Sequence, residues 1–243
     1  MKNKTVICIL FFFIGLVNHS IISLELTEEQ FWAIALTGIM TENNNDSHYT
    51  LNSNINRNKN VYLELLRRDW GINNRQELLE MLVQMENNGH AIQLENIKSI
   101  IVENGNDLNI ILKNHKFIST NEYNRLLFTY SNWDLYKNLS IKSWDLGRNI
   151  ALCRWGYDIG FITEEEAWQK IMYYAKEIQP LYASWNKYGY SYFLGRIFWA
   201  SGFGLNESGT MEEYISKTDR IYKKLINESG IWFKLQWDIK FAD

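Results

Sequence analysis

The sequence has few of the residues that break or cross-link a chain. Among 243 residues there are one proline, Pro180, fourteen glycines and two cysteines. The many tight turns of an all-β sandwich need more glycine and proline, so this scarcity argues against that fold. Basic residues are not in excess either, since 25 Lys and Arg stand against 28 Asp and Glu. The chain therefore lacks a basic surface for nucleic acid, and we predict no nucleic-acid partner.

Apolar and aromatic residues are abundant. Hydrophobic residues make up 46% of the chain, aromatic residues 15% and charged residues 22%. This composition is typical of a folded globular protein and is too apolar for a disordered one. We expect the aromatic side chains to supply most of the core.

The N-terminus resembles an export signal. Lys2 and Lys4 precede an apolar run of twelve residues, 6–17, whereas a membrane-spanning helix needs about 20. Ser20 and Ser23 follow as small residues for a cleavage site. We therefore predict that residues 1–23 are a signal peptide and that the protein is exported, either periplasmic or secreted. The alternative is an uncleaved segment, residues 6–22, that anchors the protein to the membrane, and only then is membrane contact expected.

The remaining residues, 24–243, are predicted to form one helical domain. Cys8 belongs to the predicted signal peptide, which leaves Cys153 without an internal disulfide partner. Cys153 follows three apolar residues, so we expect a buried and inert thiol.

Local signals place most of the helices. Capping boxes at 27–30 and 163–166 predict two helix starts, Gly71 and Gly160 predict two helix ends, and Asn73 is the predicted N-cap of a helix that ends at 88–89. Residues 91–118 fit two short helices, with a strand as the alternative. Asparagine-rich residues 41–60 are predicted to be a long, mobile loop. The tail, residues 231–237, is predicted to be extended and packed down by Trp232 and Trp237.

One helix is predicted to lie at the centre of the fold. Residues 144–159 place apolar side chains on nearly every side, which is typical of a helix that other helices surround. We therefore predict an all-α fold, a compact multi-helix single domain around this buried helix, with an extended C-terminal tail.

Eight short motifs carry a family resemblance over about residues 60–200. They are W-G-I-x-x-R at 70–75, E-L-L at 77–79, G-H at 89–90, W-D-L-G-R at 144–148, R-W-G-Y at 154–157, E-E-A-W at 165–168, S-W at 184–185 and G-R-x-F-W at 195–199. In this order they resemble the bacterial family called domain of unknown function 1266. The resemblance implies a bacterial source and a helical fold. It implies no activity, cofactor or catalytic residue.

Charged residues on the central helix are the candidates for chemistry. Asp145 and Arg148 are spaced i,i+3, and Arg154 and Asp158 are spaced i,i+4, so each pair can meet on one helix face. Our preferred interpretation is a buried network, joined by Glu165, that fixes the helix register. The alternative is that Asp145, Arg148 and Glu165 are catalytic.

Four further residues are candidates for holding a ligand: Arg154, Trp185, Arg196 and His90. Arginine anchors polar groups and aromatic rings stack on flat ones, although the helical spacing of the aromatic residues favours core positions. We expect His90 to cap carbonyl groups at a helix end. No metal-ligand motif is present, so we predict no metal site and no cofactor.

These observations favour a non-catalytic binding or interaction protein of the cell envelope. Its partner would be a protein, a small molecule or a glycan, held in a shallow groove or by residues 41–60. The alternative is a carboxylate-dependent hydrolase that acts on a cell-wall glycan or peptide through Asp145 and Glu165.

Overall fold

A computed structural model of the protein describes residues 26–53, 59–204 and 208–242. The predicted signal peptide, residues 1–23, and the alternative anchor, residues 6–22, lie outside these ranges. Within the described part of the chain, no helix combines the length and the apolarity that a membrane span needs.

The described residues form an all-α fold with no strand among them, as predicted. The α-helices are α1 (Glu28–Ala35), α2 (Gly38–Asn44), α3 (Lys59–Trp70), α4 (Arg75–Asn88), α5 (His90–Glu103), α6 (Leu108–Asn114), α7 (Thr120–Ser131), α8 (Trp133–Tyr136), α9 (Lys142–Ile159), α10 (Glu164–Ile178), α11 (Trp185–Ser201), α12 (Ser208–Ile226) and α13 (Ile231–Lys234). A short 3₁₀ helix at Gln179–Leu181 contains the proline and separates α10 from α11.

Local chemistry sets the helix ends largely as predicted. Thr27 and Thr163 form capping boxes at the starts of α1 and α10. Gly71 and Gly160 follow α3 and α9 with φ of 68° and 84°, in the left-handed region where a Cβ is unfavourable. The predicted N-cap of α4 is wrong by one residue, because Asn74 accepts the Glu77 N–H. Residues 91–118 contain the two predicted helices, α5 and α6.

Helix α9 is the centre of the fold, which confirms the prediction. Fourteen of its eighteen residues are buried, and α3, α4, α5, α10 and α11 pack around it. It begins at Lys142, two residues before the predicted start. Cys153 is fully buried on this helix, and burial raises the pKa of its thiol to about 12, as expected for an inert cysteine.

A cluster of tryptophans joins the two ends of the described chain. Trp32 of α1 contacts Trp185 and Trp237, and Trp185 stacks on Trp232 at 5.8 Å between ring centroids. The indole N–H of Trp232 donates to the carbonyl of Ala35 over 2.7 Å. The predicted packing of the tail is confirmed. Its predicted extended form is wrong at residues 231–234, which form α13, whereas Leu235 has extended backbone angles and residues 235–242 form no helix.

The asparagine-rich segment differs from its prediction as a long, mobile loop. Its first residues, 41–44, continue α2, and Arg154 donates hydrogen bonds to the carbonyls of Ser47, Thr50 and Leu51. Asp158 accepts the Ser53 N–H at 3.0 Å. Arg154 and Asp158 thus do not form the predicted pair, since each binds this segment instead. Residues 54–58 lie outside the described ranges.

Candidate functional site

A cavity of about 590 Å³ opens beside the central helix. Helices α2, α3, α4, α5, α9, α11 and α12 contribute its walls. Asp69, Gln84 and Asn88 lie at the exposed rim, so the cavity meets solvent there. The other lining residues are mostly apolar, aromatic or cationic: Met40, Asn43, Asn44, Leu65, Trp70, Met81, Met85, Gly89, His90, Gln93, Trp144, Arg148, Trp155, Arg196, Trp199 and Tyr214.

One face of α9 forms the floor of the cavity. Trp144, Arg148 and Trp155 lie on this face, at spacings i, i+4 and i+11. At 1.5 Å per residue they cover about 16 Å of helix. The guanidinium carbon of Arg148 lies 4.2 Å from the Trp144 ring centre and 5.4 Å from that of Trp70, so aromatic rings flank the charge.

Asp145 lies behind this floor and holds Arg148 in place. Its Oδ1 accepts a hydrogen bond from Arg148 Nη2 at 2.6 Å, and its Oδ2 accepts the Ala91 N–H at 2.7 Å. Burial alone would raise the pKa of the Asp145 carboxyl. The hydrogen bonds and the positive charge outweigh burial and lower the pKa, so Asp145 is ionised at neutral pH. The predicted i,i+3 pair therefore exists and is buried.

His90 lies at the start of α5, so its predicted role at the C-terminal end of a helix is wrong. Gly89 joins α4 directly to α5, which leaves His90 in the first turn of α5, and its described hydrogen-bonding contacts are to side chains of arginine and not to backbone carbonyls. Its ring nitrogens lie 3.1 Å from Arg148 Nη2 and 3.4 Å from Arg125 Nη2. Burial, opposed by Asp145 and reinforced by the two arginines, lowers its pKa, so His90 is neutral at pH 7.

Arg125 is a residue that the sequence did not single out. It donates to Gln93 Oε1 at 2.8 Å and lies over the Phe198 ring at 5.7 Å, directly behind the cavity wall. No carboxylate lies within ion-pair distance of Arg125 in the described residues. Its contacts come from α5 and α11, more than thirty residues away, and no local motif could have revealed them.

Arg196 differs from the other arginines of the site. It is only 7% exposed, it lines the cavity, and its guanidinium carbon lies 4.7 Å from the Tyr214 ring centre. Across the described ranges, no hydrogen-bond acceptor or carboxylate is within bonding distance of this side chain, and its Nε is buried without a partner. A buried donor without an acceptor costs about 1–3 kcal/mol, so the position of Nε is unfavourable for the protein alone.

The remaining candidates lie elsewhere. Arg154 is fully buried and holds residues 47–51, and Trp185 is part of the tryptophan cluster. Glu165 is exposed in the first turn of α10, which begins just after the end of α9. Asp145 is near the other end of α9, fourteen residues from Ile159, or about 21 Å along the axis. The structure therefore does not bring Asp145 and Glu165 together.

The described residues contain no group of three or more His, Cys, Asp or Glu side chains arranged to hold a metal ion. The polar groups that do meet at the cavity are arginines, the neutral His90, carboxamides, the Tyr214 hydroxyl and, at the rim, the Asp69 carboxylate. Such a set has the chemistry to bind and orient a ligand, and the nearest buried carboxylate, Asp145, is already engaged by Arg148 and Ala91.

Comparison with known proteins places the chain in a family. A family model described as "Protein of unknown function (DUF1266)" matches residues 65–237. The chain belongs to this family. A similar protein is "Uncharacterized protein YbeU" of Escherichia coli (strain K12), 30% identical over 191 residues that cover 71% of this chain and 75% of YbeU. No solved structure matches the chain. The DUF1266 match includes α9, α11 and Tyr214, and so contains most of the cavity wall.

Proposed function

We propose that this DUF1266 protein is a non-catalytic binding protein that holds a small molecule in the cavity beside α9. The observation that carries the proposal is Arg196, a cation in the cavity wall with no hydrogen-bond or ionic partner among the described residues. A buried polar group without a partner in a native protein needs an explanation, and a ligand that completes it is one such explanation where the group lines a cavity.

The size and lining of the cavity support the same function. A volume of about 590 Å³ lies within the range of roughly 300–1,000 Å³ that is usual for small-molecule sites. Trp70, Trp144, Trp155 and Trp199 offer ring surfaces for apolar contact, and a few polar groups are available for orientation. This combination of an apolar wall with few polar anchors is typical of ligand sites.

The arrangement of carboxylates favours binding over hydrolysis. A glycosidase needs two carboxyl groups about 5–10 Å apart across the bond that is cleaved. Asp145 is buried in its pair with Arg148, Glu165 lies near the opposite end of α9, and the rim residue Asp69 is bound by Arg68. The carboxylates named for the hydrolase alternative, Asp145 and Glu165, therefore do not form such a pair in the part of the chain that the structure describes.

The proposed setting of this function is outside the cytoplasm. It rests on the lysines and the twelve-residue apolar run before Leu24. N-terminal sequencing of the protein recovered from its producing cells tests it. A mature chain that starts near Leu24 supports export, whereas a chain that retains residues 6–22 in the membrane fraction supports the anchored alternative.

The binding function is tested by blocking the mouth of the cavity. Asn88 is exposed at the rim, and Asn87 is exposed beside it but outside the cavity, so Asn88→Trp and Asn87→Trp are a matched pair. Binding of naphthalene-2-carboxylate, naphthalene-2-methanol and N-acetylglucosamine is measured by tryptophan fluorescence and thermal unfolding. We expect at least one probe to bind the natural chain and Asn87→Trp and to lose at least tenfold in affinity with Asn88→Trp. Failure of all three probes to bind, or equal binding by both variants, would contradict the proposal.

A further inference from the structure

We infer that the ligand of this cavity is an amphipathic oxyanion, a small molecule whose carboxylate or phosphate group binds Arg196 and the Trp144 indole N–H while its apolar body lies along α9. This inference rests on the proposed function and names the chemistry of the ligand. It depends on three independent features of the cavity: unpartnered donors, local charge and the position of the apolar wall.

The unpartnered nitrogens of the cavity wall are donors. Arg196 Nε and Trp144 Nε1 are both buried, and neither has an acceptor in the described residues. Guanidinium and indole nitrogens donate hydrogen bonds and do not accept them. A ligand that satisfies both donors presents hydrogen-bond acceptors at this point, and a carboxylate or phosphate presents two or more.

These two donors belong to one end of the cavity. The Trp144 and Trp199 rings lie 5.9 Å apart, and Trp199 lies 5.9 Å from Tyr214, over which Arg196 is placed. Arg196 and Trp199 are spaced i,i+3 on α11 and so share a helix face. A continuous set of rings thus connects Arg196 to Trp144, which gives the oxyanion a defined place between α9 and α11.

The charge around this end is positive. Arg125, Arg148 and Arg196 contribute three positive charges, Asp145 contributes one negative charge, and His90 is neutral, which leaves a net charge of +2. At the rim, Asp69 is neutralised by Arg68, whose Nε lies 2.6 Å from it. An anion is therefore attracted to the cavity, although the whole chain has a net charge of −3.

The two arginines of the cavity wall have different tasks. Arg148 is held by Asp145, His90 and the Trp144 carbonyl, so it fixes the junction of α4 and α5. Its positive charge adds to the attraction of an anion without a direct contact. Arg196 has no such engagement, and its guanidinium is available to a ligand. We therefore assign the direct contact with the oxyanion to Arg196.

The far end of the cavity suits an apolar body. Met40, Leu65, Met81 and Trp155 line it with side chains that offer no charge. Asn43, on α2, has a buried Oδ1 without a partner, so a hydroxyl or amine on the ligand body would find an acceptor there. The cavity therefore separates a cationic end from an apolar one, which is the pattern expected for an amphipathic anion.

Isothermal titration calorimetry with four probes tests this inference. Naphthalene-2-carboxylate and 2-naphthyl phosphate carry the two oxyanions on one ring system, naphthalene-2-methanol is their neutral counterpart, and inorganic phosphate lacks the apolar body. We expect at least one naphthyl anion to bind tenfold or more tightly than the alcohol and than inorganic phosphate. The preference between carboxylate and phosphate identifies the head group.

Variants of Arg196 locate the contact. Arg196→Gln should lose at least tenfold in affinity for the naphthyl anion and leave binding of the alcohol unchanged, and Arg196→Lys should recover part of the loss. Arg220→Gln, at an exposed arginine of α12 outside the cavity, is the control and should bind as the natural chain does. If the alcohol binds as tightly as the anions and is lost with Asn88→Trp, the oxyanion inference is overturned while the binding function stands. If no probe binds, the binding function itself fails.

Discussion

The carboxylate of Asp145 caps the first turn of α5 from a different helix, since its Oδ2 accepts the Ala91 N–H over 2.7 Å across 54 residues of sequence. The N-cap residue of α5 is Gly89, which has no side chain for this task. A Cβ on Gly89 would overlap both the Asp145 carboxylate and the Met85 carbonyl. A glycine is therefore required here by close approach, and Asp145 supplies the acceptor that a capping side chain usually provides.

Replacement of Asp145 by asparagine should strongly destabilise the fold. The change removes the negative charge from Arg148, which is then buried without an ionic partner. Breaking a buried ion pair costs about 3–5 kcal/mol, which urea unfolding measures directly. Asp134→Asn is the control, because Asp134 and Lys137 form an ion pair of the same i,i+3 spacing on the surface. A surface pair of this kind contributes about 1 kcal/mol or less to the free energy of unfolding. Equal losses for both variants would show that the buried pair is not a structural clamp.

Arg154→Met should release the segment 46–53 from the central helix. Arg154 is fully buried and donates to several backbone carbonyls of this segment as well as to Thr37 and Thr41. Without it those carbonyls lose their partners, and the segment should open locally. We expect faster hydrogen exchange at the Ser53 amide and faster proteolysis between residues 45 and 53 than in the natural chain or in Arg220→Met. Unchanged exchange at Ser53 would contradict this role.

Stability should fall as the pH is lowered below about 6.5. Burial and the charges of Arg148 and Arg125 outweigh Asp145 and lower the pKa of His90 in the folded protein from its ordinary 6.5. The unfolded chain therefore binds the proton first, and acid favours unfolding. Urea unfolding at pH 7.5 and 5.5 should show the loss, and His90→Gln should reduce it. Burial also lowers the pKa of His48. The variant His48→Gln therefore measures how much of the stability lost at low pH is due to His48. A free energy of unfolding that rises towards pH 5.5 is the opposite of this expectation.

The C-terminal tail should be essential for stability. Trp232 packs on Trp185 and Tyr188, and its indole donates to Ala35. Truncation of a buried tryptophan to alanine typically costs about 3–5 kcal/mol. We expect a loss of this size for Trp232→Ala in urea unfolding and little change for Phe233→Ala, since Phe233 is 61% exposed. A similar loss for both would contradict the assignment of Trp232 to the core.

Much of the fold could be predicted because its signals are local. Three kinds of signal depend only on neighbours within a few helical turns. They are the capping boxes at Thr27 and Thr163, the glycines that end α3 and α9, and the apolar side chains on nearly every side of α9. The predicted Arg154–Asp158 ion pair was wrong because the partners of these side chains are distant in the sequence. An i,i+4 spacing allows contact, but backbone groups about one hundred residues away provide better partners for both side chains.

The candidate site was predictable only in part. Arg148 was singled out as a charge on a mostly apolar helix, Arg196 as an arginine among aromatic residues, and His90 by its place at a predicted helix end. The sequence did not reveal that they line one cavity, because α5, α9 and α11 meet only through tertiary packing. Arg125 carried no signal at all, since the surface of α7 looks ordinary until Gln93 and His90 are placed against it.

The measurement that tests the account most directly is the stability of Arg196→Met without any ligand, compared with Arg148→Met. Arg196 is buried without an ionic partner, so methionine should leave the free energy of unfolding unchanged or raise it, even though a cation–π contact of about 1–2 kcal/mol is lost. Arg148→Met leaves Asp145 unpaired and should cost about 3–5 kcal/mol and lower the melting temperature. A comparable loss for Arg196→Met would show that Arg196 serves the fold, and would contradict its assignment to a ligand.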